Sequence, residues 1–300
     1  MAWKPDLCIY HGGCDDGFGA AWAIWKRWGN EVAYVPGTYG KPLPDASGKH
    51  VLFVDFSAKR PEIDAMAQVA KSIVIIDHHK TAEADLAPFA VTWTSVPFFS
   101  KVDLIDGMLR DLSQMDRPPV IAWFDMSQSG AVMAWDFAHG IERNDPPPTM
   151  LALIQDRDLW RFAFGDRTRQ FSAALRTYPM TFETWTAIAS DPDALVKEGE
   201  IVLRAHSANI AKFVADAYVG RMEGHEVPTV NVPYHYASDT AHALLAAYPD
   251  APFTACWFRR GDGMIQWSLR SEDSRADVSE IAKRRGGGGH RNAAGFQEPA

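Results

Sequence analysis

Two runs of apolar residues, Val51-Leu52-Phe53-Val54-Asp55 and Ile73-Val74-Ile75-Ile76-Asp77, constrain this chain more than any other feature. Each is four apolar residues closed by a carboxylate. A run without polar alternation suits a strand buried on both faces, the usual condition of a parallel sheet. Between them, residues 61 to 70 read as a helix, with Pro61 in its first turn. Strand, helix, strand is the repeating unit of a parallel α/β sheet. Ligands of such sheets bind beyond the carboxyl ends of the strands, where Asp55 and Asp77 stand.

The flanking segments extend this pattern. Leu7 to Tyr10 reads as a strand that leads into an acidic turn, His11-Gly12-Gly13-Cys14-Asp15-Asp16-Gly17. A helix is predicted from Phe18 to Trp28, apolar on two faces and so buried. Strands are predicted at 31–35 and 120–124, and helices at 129–138 and 149–155, the last running into Asp156-Arg157-Asp158. Residues 95–119 look irregular and read as an insertion. A proline-free stretch after Asp193 predicts a long connecting helix. Beyond it, strands at 227–232, 254–258 and 264–269 alternate with helices at 239–247 and 276–283. The expected plan is a catalytic domain over 1–192, a connecting helix over 193–220 and a smaller α/β domain over 221–300.

Composition narrows the function classes. At 47% hydrophobic and 23% charged, the 300 residues suit a globular protein and exclude a disordered chain. No apolar stretch reaches the roughly 18 residues of a membrane span. The net charge of -8 argues against an extended footprint on long duplex nucleic acid, whose binders are usually basic. Short anionic substrates stay open, because bound cations would cancel carboxylates. Three cysteines, Cys8, Cys14 and Cys256, and an N-terminus without an apolar core set the expectation of a cytoplasmic protein.

The chemistry gathers at the strand ends. An acidic loop with His11 follows the first strand, Asp55 ends another, and Asp77 continues into His78 and His79. Mixed nitrogen and oxygen ligands with little sulfur suit manganese, or else cobalt, iron or zinc. One carboxylate can bridge two ions, as two-metal phosphoesterases require. Taken singly, an Asp at a strand end is a common turn residue. The constellation as a whole is harder to explain that way.

Ile76-Asp77-His78-His79 resembles the signature of the DHH phosphoesterase superfamily. Gly287-Gly288-Gly289-His290-Arg291-Asn292-Ala293-Ala294-Gly295-Phe296 resembles the glycine-rich signature of its associated C-terminal domain. The two stand in the family's order, and the resemblance spans essentially the whole chain apart from the region near 95–119. It implies a parallel-sheet domain with helices on both faces, a smaller α/β domain and an active site in the interdomain cleft. It implies two divalent ions, manganese first, and a short oligonucleotide or a linear or cyclic dinucleotide as substrate. The phosphodiester would be hydrolysed by a monomer or homodimer, with 5′-mononucleotides as products. A phosphoanhydride hydrolase acting on polyphosphate or pyrophosphate, and a nucleotide-binding module weakened at one metal, are the alternatives.

Carried over by position, the resemblance makes His11, Asp16, Asp55, Asp77 and His78 metal ligands, with Asp55 bridging. Asp55, Asp77 and His79 become the catalytic set, His79 contacting the substrate phosphate. Asp156 or Asp158 supplies the remaining ligand, Asp156 being preferred. Cys14 stands where relatives usually carry Asp, so it either ligates as a thiolate or packs under the loop, and neighbouring Asp15 is a possible substitute. Gly287, Gly288, Gly289, His290, Arg291 and Arg270 are expected to bind substrate. The glycine run reads either as an amide nest for a phosphate or as a flexible loop.

Overall fold

The computed structural model describes residues 3–92, 101–140 and 146–300. The chain divides into two compact units, residues 1–202 and 203–300. The first contains β1 (Leu7–His11), α1 (Asp15–Trp28), β2 (Ala33–Gly37), β3 (His50–Val54), α2 (Arg60–Ala67), β4 (Ser72–Asp77) and α3 (Lys80–Asp85). It continues through α4 (Val102–Gln114), β5 (Val120–Phe124), α5 (Gly130–His139), α6 (Thr149–Asp158), α7 (Asp166–Leu175) and α8 (Phe182–Ser190). Helix α9 (Pro192–Ala215) crosses the division.

The five strands form one sheet in the order β2-β1-β3-β4-β5, every pair parallel. Alternation sorts its side chains into two apolar layers. Cys8, Leu52, Val54, Val74, Ile76 and Ile121 pack with α1 and α5 residues such as Trp22, Ile24, Met133 and Phe137. Leu7, Ile9, Val51, Phe53, Ile73, Ile75, Val120 and Ala122 pack with Ile63 and Met66 of α2, and with Phe89. Both faces are covered, so no strand needs a polar side, and the near-continuous apolar runs follow. Among the described residues no helix is long and apolar enough to cross a membrane.

The second unit contains β6 (Tyr218–Met222), β7 (His225–Asn231), α10 (Tyr234–Ala247), β8 (Thr254–Arg259), β9 (Met264–Arg270), α11 (Val278–Arg284), β10 (Gly288–His290) and β11 (Ala293–Pro299). Its six strands run in the order β10-β11-β9-β8-β7-β6, with only β7 and β8 parallel. The protein is thus α/β, a parallel sheet followed by a second, mixed sheet.

Several local expectations are corrected. Of the supposedly irregular stretch 95–119, residues 95–100 lie outside the described residues, and 102–114 form the helix α4. Val102, Ile105, Leu109 and Leu112 recur at helical spacing and pack on the first apolar layer. Helix α1 begins at Asp15, not Phe18, so Asp15 and Asp16 form its first turn, where carboxylates meet the positive helix end. The glycine run is no flexible loop. Gly288 and Gly289 pair with Gly295 and Ala294 across β10 and β11. A Cβ on Gly287 would lie 2.1 Å from the Gly295 carbonyl oxygen, so strand packing itself demands glycine there.

Candidate metal centre

Register brings the site together. Tyr10 pairs with Val54, and Val54 with Ile76, so His11, Asp55 and Asp77 are the next residues along three adjacent strands. They form a row at the carboxyl edge of the sheet. Asp55 turns out of β3 with a left-handed φ of 54°, which Asp tolerates better than most residues, and its N–H donates to the Ile76 carbonyl at 2.9 Å.

Two glycines clear the space around this row. A Cβ on Gly17 would lie 2.2 Å from the His11 carbonyl oxygen, so only glycine lets α1 start this close to β1. A Cβ on Gly130 would stand 2.4 Å from Asp55 Cβ. Gly130 opens α5, and there the Asp16 carboxylate accepts from Gly130 N–H at 2.6 Å and Ala131 N–H at 3.1 Å. A helix N-terminus thus holds the buried Asp16 beside the row.

His78 lies among three carboxylates. Its Nε2 is 3.0 Å from Asp55 Oδ1, 3.5 Å from Asp16 Oδ2 and 3.6 Å from Asp158 Oδ2. Burial alone would push the imidazole down, but the Asp55 hydrogen bond and the charges of Asp158, Asp55 and Asp16 outweigh it and raise its pKa to about 10. Asp16 is raised well above the carboxylate range by burial and by repulsion from Asp55 and Asp158. Desolvation raises Asp158 too, against the pull of His78. Burial would also raise Asp55, but the imidazoles of His11 and His78 beside it win and hold it below the usual range.

Among the described residues, ligand-type atoms form two groups within unit 1, each with its atoms within 4.8 Å of one another: His11, Asp55 and His79, and Asp16, Asp55 and His78. Asp55 belongs to both. Its Oδ2 is buried, forms no close hydrogen bond among the described residues, and faces His11 Nδ1 at 3.5 Å. A buried, under-coordinated carboxylate oxygen between two histidine-containing groups is what a divalent cation fits.

Not every expected ligand joins these groups. Asp77 Oδ1 accepts from His78 N–H at 2.7 Å and His79 N–H at 3.2 Å, and pairs with His79 Nδ1 at 2.6 Å. Ser57 donates to its Oδ2. Asp77 therefore shapes the histidine turn and orients the His79 ring, leaving Nε2 as the ring nitrogen that Asp77 does not hold. Of the two candidate aspartates of α6, the preferred Asp156 has its carboxylate accepting from Ala163 N–H, Phe164 N–H and Thr168 Oγ1, while Asp158 faces His78. Asp15 points instead to Arg176, with Oδ2 3.4 Å from Nε.

Cys14 caps α1 half-buried. Burial and the charges of Asp55, Asp158 and Asp16 push its thiol well above the ordinary range, so it stands protonated beside the carboxylates.

In the second unit, Arg291 is clipped to Asp277 Oδ2 and to the carbonyls of Asp273 and Arg275. Arg270 donates to the Leu269 carbonyl and to Ser238 Oγ. Gly287, Gly288, Gly289 and His290 lie in or beside β10.

Sequence reasoning passed over Gly130 and Tyr39. A Ser-Gly pair opening a helix just after a strand was the available signal for Gly130. Nothing in the local pattern marks Tyr39, whose ring packs edge-on to His11 at 5.8 Å.

No protein-family model matches the chain. It is 29% identical over 316 residues to "Uncharacterized protein R106" of Acanthamoeba polyphaga mimivirus, a likeness covering 98% of this chain and 67% of that protein. Among solved structures it is similar to a pGpG-specific phosphodiesterase, PggH, of Vibrio cholerae, with 12% identity, a TM-score of 0.45 and coverage of 99% of this chain and 94% of that one. It is also similar to RecJ from Thermus thermophilus in complex with Mn2+, with 14% identity, a TM-score of 0.46 and coverage of 97% and 49%. An uncharacterized protein from Helicobacter pylori matches at 15% identity and a TM-score of 0.36, covering 97% and 92%. At these scores the structural likenesses carry no argument about activity, and the fold and site stand on their own geometry.

Proposed function

We propose that the chain is a metal-dependent phosphodiesterase of the DHH type, hydrolysing short single-stranded oligonucleotides or linear and cyclic dinucleotides to 5′-mononucleotides. The observation that carries this reading is Asp55, held in a left-handed turn and shared by two groups of ligand atoms. His11, Asp55 and His79 would hold one divalent cation, and Asp16, Asp55 and His78 the other, with Asp158 beside His78. Bound cations would supply an acidified water and neutralise charge on a phosphate. Manganese is expected to serve best, because imidazole ligands disfavour the harder magnesium.

The chain's own groups do the positioning. Asp77 fixes the His79 ring through Nδ1, which directs Nε2 to a cation or to a phosphate oxygen. The α5 N-terminus keeps Asp16 in place despite its burial. His290, Gly287, Gly288, Gly289, Arg270 and Arg291 of the second unit belong to the proposal as substrate-capturing residues.

The test is a turnover assay with manganese over dinucleotides, longer oligomers, cyclic dinucleotides and pyrophosphate. Hydrolysis of the phosphodiesters is expected to dominate and to vanish in Asp55→Ala, along with metal binding. Dominant turnover of pyrophosphate would overturn the reading in favour of a phosphoanhydride hydrolase. Tight nucleotide binding without product would make the chain a binding module.

A further inference from the structure

We infer that Tyr39 is a base-stacking platform, which makes the proposed site selective for nucleotides over other phosphate esters. The inference rests on the phosphodiesterase reading and adds to it a residue that determines specificity.

Tyr39 sits in the turn just after β2, closed by the Lys41 N–H bond to the Thr38 carbonyl at 3.1 Å. It is 45% exposed, yet it is firmly held. Its ring lies 4.8 Å from the Phe56 ring and 5.8 Å, edge-on, from the His11 ring. Phe56 is buried and lies so close to Gly37 that a Cβ there would approach its ring to 2.6 Å. A tightly packed glycine, a buried ring and the His11 ring thus hold an aromatic side chain whose remaining surface faces solvent.

The position gives this surface its meaning. His11, in contact with Tyr39, belongs to the same ligand group as Asp55 and His79. A phosphate bound at that group would carry its substituents past the exposed ring. A flat purine or pyrimidine, one sugar away from the phosphate, is the substituent a fixed aromatic face binds best. Stacking tolerates any base, because every base has a π-face. Preorganisation adds to the effect, since a ring already held loses little freedom on binding.

The test compares binding of a nucleoside 5′-monophosphate with binding of ribose 5-phosphate to the manganese-loaded protein by calorimetry. The two ligands share the phosphate and sugar and differ in the base. The unaltered protein is expected to prefer the nucleotide by about 10-fold or more, the order of one stacked base. In Tyr39→Ala the preference should collapse towards unity, mainly through weaker nucleotide binding, with the melting temperature and metal content kept. Tyr39→Phe should keep the preference, because the ring and not the hydroxyl does the work. If Tyr39→Phe loses it as fully as Tyr39→Ala, or if neither variant changes it, the inference is overturned. The readout needs no turnover, so an inactive protein that still shows the Tyr39-dependent preference would sink the phosphodiesterase reading alone.

Discussion

Asp156 and Asp158, two residues apart on α6, are expected to respond to substitution in opposite ways. The buried Asp156 carboxylate accepts from Ala163 N–H at 2.7 Å, Phe164 N–H at 3.2 Å and the buried Thr168 hydroxyl. Each hydrogen bond to a charged acceptor contributes about 1.5–3 kcal/mol. In Asp156→Ala, water can reach the amides of the exposed residues Ala163 and Phe164, but not readily the buried Thr168 hydroxyl. A net loss of about 2–4 kcal/mol follows. For a unit of this size that lowers the melting temperature by roughly 5–15 °C, while the folded fraction still binds metal. Asp158 instead carries a carboxyl that the fold raises above its usual range, so its ionised form opposes folding at neutral pH. Asp158→Asn should leave the metal-free melting temperature equal or higher and remove most of the rise that manganese produces. Thermal melts with and without manganese, beside calorimetric titration, read both effects. The assignment fails if Asp156→Ala melts normally but binds no metal, or if Asp158→Asn melts far lower and binds manganese as before.

Gly130→Ala should lower turnover sharply and weaken manganese binding, because its Cβ would stand 2.4 Å from Asp55 Cβ and displace the shared ligand; calorimetry on the folded variant checks this. Manganese affinity should climb with pH between 7 and 9, by about tenfold per unit or more. The metal-free His78 pKa of about 10 means that a proton must leave before the ring can ligate, and this competition fades only as pH approaches that value. Titrations in buffers of different ionisation enthalpy should show at least one proton released, and a flat profile above pH 7 would contradict the His78 environment. Cys14→Asp adds a carboxylate to Asp16, Asp55 and Asp158, so the metal-free protein should melt lower, while manganese binds at least as tightly and activity holds or rises. A collapse of activity with the fold intact would mean that the sulfur itself is needed.

The central strands were legible because burial on both faces leaves an unbroken apolar run, and their terminal Asp55 and Asp77 stand out against it. The histidine pair after β4 was legible for the same reason. The roles within the site were not. Asp156 and Asp158 are separated by roughly 200° around a helix, and the sequence does not say which direction faces His78. Nor does the sequence say that the Asp77 oxygens are engaged by Ser57, His78 and His79. Helix α4 was missed although its apolar spacing is regular, because Lys101 at its start is no capping residue and does not mark a beginning. Gly287 and Gly289 belong to no side-chain pattern, and the closeness of β11 explains why a side chain has no room there.

The paired apolar layers of the parallel sheet leave it with a weak sense of alignment. In a sheet with one wet face, sliding a strand by one residue exposes apolar side chains and buries polar ones. Here the interior residues of β3 and β4, Leu52, Phe53, Val74 and Ile75, have apolar neighbours on both sides, so a one-step slip there merely exchanges two oily layers. What does not exchange is the row His11, Asp55 and Asp77. A step one way would drag a carboxylate between apolar strands, away from the histidines and the Ser57 hydroxyl that receive it. A step the other way would thrust Val54 or Ile76 into the polar edge. The charged row thus acts as the stop against which each strand is squared, and substitutions that neutralise it are expected to blunt folding fidelity as well as chemistry.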